Sequence, residues 1–251
     1  MKILIINPNS DPDMTETILN SARRFVDGEF EVSCLPTPGA PGFIETYEDQ
    51  IRAAPGMIHL LRENEEAFDA FIIACHCDPN LDVMKEITKK PVVGIGEASM
   101  KLASMLGHCF SVISTNRHSI PGKEALIRKY HLRDLCVSVR APRDEMKGGS
   151  DEERYTQAAR FAIEEDMAEV IVLGCAGMAG LDKCLEAKLG VPVLDGVVCA
   201  LIIASGLVKH YAKSFPRHLP GTPNSSRLPR WLFCLSLPGW GLTGRRNSSL
   251  S

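Results

Sequence analysis

Two stretches one hundred positions apart read as copies of each other, and that repeat limits what this chain can fold into. Asp69-Ala-Phe-Ile-Ile-Ala-Cys75 stands beside Glu169-Val-Ile-Val-Leu-Gly-Cys175. Each copy opens on an acidic residue, runs through aliphatic residues to a small one, and ends in a cysteine. Beyond the thiols the echo continues as Leu81-Asp82 with Glu86, and as Leu181-Asp182 with Glu186. Pro91-Val92-Val93 then matches Pro192-Val193-Leu194. Earlier in the chain, Ile3-Leu-Ile-Ile-Asn-Pro-Asn9 parallels Phe110-Ser-Val-Ile-Ser-Thr-Asn116. Each half therefore reads as a strand ending in Asn, a strand ending in Cys, and a strand opening on Pro. A chain of 251 residues has room for two such lobes of roughly a hundred residues each.

Short aliphatic runs alternate with amphipathic stretches, the pattern of an α/β fold with parallel sheets. Strands are expected at 3–6, 31–35, 71–74, 92–95, 110–113, 170–173 and 191–194. Helices are expected at 14–25 and at 44–64, the second broken at Pro55-Gly56. Residues 36–42 hold three Pro and two Gly and read as a loop. Each apolar run is too short to tell strand from buried helix by period alone; flanking Gly and Pro decide for strand.

A formal net charge of −3 gives no reason to expect nucleic acid or an anionic membrane as partner. The apolar start at 3–6 is too short for a signal-peptide core, and no run approaches the roughly 18 residues that span a bilayer. A reducing cytoplasm with free thiols is the expectation for the nine cysteines. The last 37 residues differ in kind. Residues 215–251 carry five Arg, five Pro and both Trp, and no Asp or Glu follows Asp195. The remainder holds 23 basic against 31 acidic residues. Such a tail reads as disordered. It is expected to be a foreign extension whose deletion leaves activity and solubility intact, although a basic tether for an anionic partner is the other reading.

In open α/β sheets ligands bind at the carboxyl ends of strands, where Cys75 and Cys175 both stand. Asp78-Pro79 suits a helix N-cap and first helical position. A helix starting there would present N–H groups and a positive dipole end to Cys75, favouring thiolate. Small residues after Cys175 expose N–H groups that can hold an oxygen as negative charge develops on it. Racemisation at carbon needs a deprotonated base on one face and a protonated acid on the other, and a pair of facing thiols can supply both. Cys34, Cys109, Cys136, Cys184 and Cys199 read instead as inert buried residues. Cys75-His76-Cys77 lacks the second ligand pair of a structural zinc site. Gly94-Ile95-Gly96-Glu97 lacks the third glycine of a phosphate loop. His76 is expected to point away from the neighbouring thiol, and Asp82 and Asp182 to lie on helix surfaces or caps.

The chain resembles the aspartate/glutamate/hydantoin racemase superfamily, and within it the hydantoin and allantoin racemase branch. The residues that carry the resemblance are Ile6-Asn7-Pro8-Asn9-Ser10, Gly42-Phe43-Ile44-Glu45, Ala74-Cys75 with Asp78-Pro79 and Leu81-Asp82, Pro91 to Ala98, and Leu173-Gly174-Cys175-Ala176-Gly177-Met178. The resemblance implies two Rossmann-like lobes related by pseudo-twofold symmetry with the site in the cleft between them. The first lobe would cover 1–97 and be completed by about 192–214, and the second 98–191. It implies a two-base mechanism without cofactor or metal, with Cys75 and Cys175 as the bases. Asn9, Ile44, Thr115, Asn116 and the backbone of Ala176 would line the substrate pocket. The partners implied are a small-molecule substrate and further copies of the chain in a homo-oligomer. The expected reaction inverts a cyclic ureide, a 5-substituted hydantoin or allantoin. An aspartate or glutamate racemase, and a silent ureide-binding protein on the same fold, are the alternatives. Cys77 departs from the Gly or Asp usual in the family and puts an extra thiol beside Cys75, with which it could oxidise.

Overall fold

The computed structural model describes residues 1–143 and 149–211; the expectations for 215–251 fall outside the described residues. The chain alternates strand and helix from its first residues. In order come β1 (Lys2–Asn7), α1 (Pro12–Val26), β2 (Glu31–Pro36), α2 (Tyr47–Asn64), β3 (Ala70–Ile73), α3 (Leu81–Ile87), β4 (Val92–Gly94) and α4 (Ile95–Leu106). Then follow β5 (Phe110–Ile113), α5 (Ile120–Lys129), β6 (Cys136–Arg140), α6 (Asp151–Asp166), β7 (Val170–Leu173), α7 (Asp182–Leu189), β8 (Val193–Leu194) and α8 (Gly196–Tyr211). The strands form two four-stranded parallel sheets, ordered β2-β1-β3-β4 and β6-β5-β7-β8. The second order is the first with four added to each label, so the sequence repeat is a repeat of topology.

Strands β1, β3, β4, β5 and β7 are buried on both faces, as parallel strands covered by helices are. Side-chain alternation sorts each strand between two cores. Ile3, Ile5 and Ile72 pack with Ile18 and Ala22 of α1 and with Val197, Ala200, Leu201 and Ala204 of α8. Leu4, Ile6, Phe71 and Ile73 face the other way, onto Ala53, Met57, Leu60 and Leu61 of α2. In the second sheet, Ile113, Ile171 and Leu173 meet α6, while Phe110, Val112 and Val172 meet Met100 and Ala103 of α4 and Leu126 and Ile127 of α5. Each such fully buried aliphatic side chain contributes about 1.5–3 kcal/mol. Helix α8, which follows the last strand of the second sheet, thus packs on the first.

Helix starts follow local chemistry. Asp11 caps α1 by accepting from the N–H groups of Asp13 and Met14, with Pro12 next to it. Thr46 and Asp49 form a capping box at α2, as do Ser150 and Glu153 at α6. Several boundaries differ from expectation. Helix α2 begins at Tyr47, not 44, because the Thr46 cap fixes its start. It also runs unbroken through Pro55, since Ala53, Met57, Leu60 and Leu61 hold it to the sheet on both sides of the missing N–H. Ile95 opens α4 rather than closing β4. Strand β6 was not expected at all: its Cys-Val-Ser-Val-Arg sequence alternates weakly, as befits an edge strand that is only half-buried.

Candidate active site

Because all strands of a sheet run parallel, their carboxyl ends gather on one side, and the repeat places equivalent residues there. Cys75 stands two residues past β3 and Cys175 two past β7. Asn9 stands two past β1, and Thr115 and Asn116 two and three past β5. The residue before each thiol is tied to the neighbouring strand by the same hydrogen bond. Ala74 N–H donates to the Ile6 carbonyl (2.9 Å), and Gly174 N–H donates to the Ile113 carbonyl (2.8 Å). Position 174 needs glycine because a Cβ there would lie 2.6 Å from the Ile113 carbonyl oxygen.

All seven sequence-selected site residues line one cavity of about 630 Å³: Asn9, Ile44, Cys75, Thr115, Asn116, Cys175 and Ala176. That volume suits a small molecule. Ile44 is buried in the wall against the first lobe's core. Asn9 is held by its side-chain oxygen, which accepts from Asn7 Nδ2 (2.7 Å) and the Asp11 N–H (3.0 Å). Asn116 Oδ1 accepts from the Ser119 N–H at the start of α5 (3.0 Å).

The two thiols differ in poise. Both are partly exposed. The Cys77 Sγ lies 3.3 Å from the Cys75 Sγ. That hydrogen bond, helped by the charge of Lys123, outweighs burial and pulls the Cys75 thiol down to about 7. Cys77 is pushed well up in return. Burial, with the charge of Cys75 behind it, raises the Cys175 thiol. The Gly177 N–H donates to the Cys175 sulfur (3.4 Å) within a short 3-10 turn, Ala176–Met178. The two thiols are thus shifted in opposite directions.

The thiolate support at Cys75 is not the one expected. Asp78 does not cap a helix following the thiol; it sits at φ 45° in a turn, and the short α3 begins only at Leu81, after Asn80. The carboxylate of Asp78 instead reaches the start of α4. It accepts from the N–H groups of Gly96 (2.9 Å) and Glu97 (2.6 Å), and from the Tyr130 hydroxyl (2.6 Å). This explains the glycines of the Gly94-Ile95-Gly96 stretch. A Cβ on Gly94 would lie 2.3 Å from Asp78 Oδ1, and one on Gly96 would lie 2.7 Å from the His76 carbonyl oxygen. An internal carboxylate fills the anion site that a helix N-terminus offers. The second lobe has a counterpart: buried Asp195, before α8, accepts from the Gly180 N–H beyond Cys175 (2.8 Å), from Ser21 Oγ (2.8 Å) and from the Val197 N–H (2.7 Å). Each thiol loop is thus tied by a buried aspartate to the start of the helix that follows the next strand, α4 after β4 and α8 after β8.

His76 is buried, and its ring nitrogens lie 3.2 Å from Ser99 Oγ and 3.2 Å from Lys123 Nζ. Burial and the nearby ammonium hold the imidazole well below its usual value, so it is neutral. Among the described residues no cluster of three His, Cys, Asp or Glu side chains could hold a metal ion. Asp82 lies on the surface, paired with Lys129, whereas Asp182 is buried at the start of α7. Of the five cysteines read as inert, Cys34 and Cys199 are buried and pushed up to about 12. Burial also pushes Cys136, which is half-buried, up to about 12. Cys109 is half-buried, and Cys184 is exposed beside Glu152, so burial was the wrong expectation there. Sequence reasoning missed Lys123, which lines the cavity, and Tyr130, since neither stands in the repeated segments.

The Asp/Glu/Hydantoin racemase family profile matches residues 3–204. A hydantoin racemase from Pseudomonas sp. (strain NS671) is 39% identical over 214 residues, covering 83% of this chain and 86% of that protein. A second, from Paenarthrobacter aurescens, is 38% identical over 218 residues, covering 83% and 91%. Among solved structures, an allantoin racemase from Klebsiella pneumoniae superposes with a TM-score of 0.77 at 32% identity, covering 89% of this chain and 96% of that one. The chain belongs to the Asp/Glu/hydantoin racemase family, and with it to the racemase class of isomerases.

Proposed function

We propose that this enzyme inverts a five-membered cyclic ureide, a 5-substituted hydantoin or allantoin, by moving a proton between Cys75 and Cys175 without a cofactor. The observation that carries the reading is the opposite poise of two thiols that line one cavity, Cys75 lowered and Cys175 raised. The Cys75 thiolate takes the ring C–H proton beside the carbonyl, and the electron pair of that bond moves onto the carbonyl oxygen. The backbone N–H of Ala176, beside Cys175 in the cavity wall, stabilises the resulting enolate. The Cys175 S–H then delivers its proton to the opposite face, the enolate collapses back to the carbonyl, and Cys175 is left as thiolate. The reverse course serves the other enantiomer. Asn9, Thr115 and Asn116 orient the ring's polar edge, and Ile44 contacts its substituent. The hydantoin and allantoin racemases among the relatives support the substrate class.

An amino-acid racemase for aspartate or glutamate would need cations for two carboxylates. Of the two lysines that line this cavity among the described residues, Lys129 is already paired with Asp82, which leaves Lys123 as one cation where two carboxylates need two. The ureide, which needs hydrogen bonds rather than paired cations, fits better. Among the described residues no helix is long and apolar enough to cross a membrane. The reading keeps the enzyme cytoplasmic, with free thiols, and homo-oligomeric.

The test follows single enantiomers of 5-benzylhydantoin and allantoin in D₂O by optical rotation and by loss of the ring C–H signal. Loss of rotation with deuterium uptake, abolished by both Cys75→Ser and Cys175→Ser, is the expected result. Exchange no faster than the spontaneous rate for either compound would sink the ureide reading.

A further inference from the structure

Lys123, on the first turn of α5, is only 8% exposed, and it lines the same cavity as both thiols. A buried ammonium is costly unless something anionic answers it. No carboxylate among the described residues lies within ion-pair distance of Lys123, although Lys85, Lys101, Lys129 and Lys188 all have one. Its hydrogen-bond partner is neutral, the Nδ1 of His76 at 3.2 Å.

That partner fixes its direction. An ammonium only donates, so His76 Nδ1 accepts and the imidazole proton sits on Nε2. Nε2–H then donates to Ser99 Oγ (3.2 Å), and the Ser99 hydroxyl donates to the Ile95 carbonyl (2.7 Å). The chain Lys123–His76–Ser99–Ile95 runs one way from the cavity into the first turn of α4. It holds the ammonium in place and leaves its other hydrogens for the cavity. Three thiols line the same cavity as Lys123, those of Cys75, Cys77 and Cys175, and its charge favours the thiolate of each. Cys77 is pushed up by its neighbour and by burial, and Cys175 by burial. Asp78, the nearest carboxylate on the Cys75 loop, is committed to Gly96, Glu97 and Tyr130.

We infer that Lys123 is a positioning residue whose buried ammonium is the counter-ion of the Cys75 thiolate and, once a proton has reached that sulfur, of the enolate oxygen. The second half of this statement rests on the ureide-racemase reading; the first half does not. When Cys75 takes the substrate proton, one negative charge leaves sulfur and appears on oxygen. A fixed cation facing the cavity serves both states without moving. His76, which the thiol neighbours in sequence, acts only through this lysine.

The test is alkylation of Cys75 by iodoacetamide between pH 5 and pH 10, read residue by residue by mass spectrometry in the full-length protein. The wild type, Lys123→Met and Lys123→Arg are compared. The half-maximal rate of the wild type is expected near pH 7. Lys123→Met, which keeps length and loses charge, moves it up by at least one unit and slows alkylation at pH 7 at least about fivefold. Lys123→Arg stays within half a unit of the wild type. A methionine variant whose profile matches the wild type overturns the inference, and so does an arginine variant displaced as far as the methionine one. If Lys123→Met does not fold by circular dichroism, the arginine profile decides alone: unmoved supports the inference, displaced by a unit overturns it. Alkylation needs no substrate, so a protein that fails to exchange either ureide yet shows the methionine shift loses the substrate reading and keeps the role of Lys123.

Discussion

Asp78 gives the sharpest test of how the thiol loop is held. Its carboxylate, 4% exposed, collects two backbone N–H groups of α4 and the Tyr130 hydroxyl. The N-cap position of α4 is Gly94, which has no side chain to do that work. Asp78→Ala therefore removes a helix cap, worth about 1–2 kcal/mol, and leaves a partly buried hydroxyl without its acceptor, worth about 1–3 kcal/mol. Relief of the buried charge offsets part of this, so a net loss of about 2–3 kcal/mol is expected. Tyr130→Phe removes one donor and costs about 1.5–2 kcal/mol. The cycle of both single variants and the double isolates their contact, because a hydroxyl cannot donate to a carboxylate that is absent. A coupling of about 1.5–3 kcal/mol is expected from urea unfolding at pH 8, where Asp78 is ionised. Losses that add to within about 0.5 kcal/mol would falsify the arrangement described here, since residues without a shared contact behave that way.

The same residue predicts a pH dependence. Burial outweighs its three donors and raises the Asp78 carboxyl to about 6 from 3.8. Between those values the folded protein keeps a proton that the unfolded chain has released, so raising the pH favours unfolding. Relative to Asp78→Ala, the wild type should lose up to about 3 kcal/mol of stability between about pH 4 and pH 6, two units at about 1.4 kcal/mol each. A flat difference in denaturation midpoints over that range contradicts it. Gly94→Ala drives a Cβ against Asp78 Oδ1 and should cost at least about 2 kcal/mol. Gly122→Ala in α5, where a Cβ meets nothing within 4 Å, should gain up to about 1 kcal/mol. Melting temperatures that move in the same direction for both would show that the contact at Gly94 is misplaced. Cys77→Ala removes the hydrogen bond that does most to lower Cys75. At about 1.5–3 kcal/mol for a bond to a charged group, Cys75 should titrate one to two units higher, with iodoacetamide labelling at pH 7 slowed about five- to fiftyfold. An unchanged labelling profile would assign the low value to another cause.

What the sequence determined by itself was whatever depends on neighbours along the chain. Among the described residues, aliphatic runs bounded by Gly and Pro marked seven of the eight strands, most clearly where burial on both faces leaves a continuous apolar signal. The hundred-residue repeat carried the matched topology, and with it the equivalent stations of Cys75 and Cys175 past equivalent strands. The offsets of the repeat matched Asn9 with Asn116, and the family resemblance named Asn9, Thr115 and Asn116 as pocket residues, which the parallel strands bring together at their carboxyl ends. Edge strand β6 escaped, since half-burial leaves a weak pattern.

Tertiary structure decided whatever depends on residues far apart in the chain. Asp78-Pro79 has the local signature of a helix start, yet its carboxylate caps α4, 16 positions further on, because the turn at Asp78 aims it across the lobe. The glycines at 94 and 96 look like a failed phosphate loop until that carboxylate is in place. Nothing near Lys123 in sequence announces it; only the fold of α5 brings its ammonium against His76 and into the cavity. The unequal poise of the thiols is likewise tertiary. The repeat makes Cys75 and Cys175 alike in sequence. A thiol two residues on and a lysine 48 residues on lower the one, and burial raises the other, because charge and desolvation act through space.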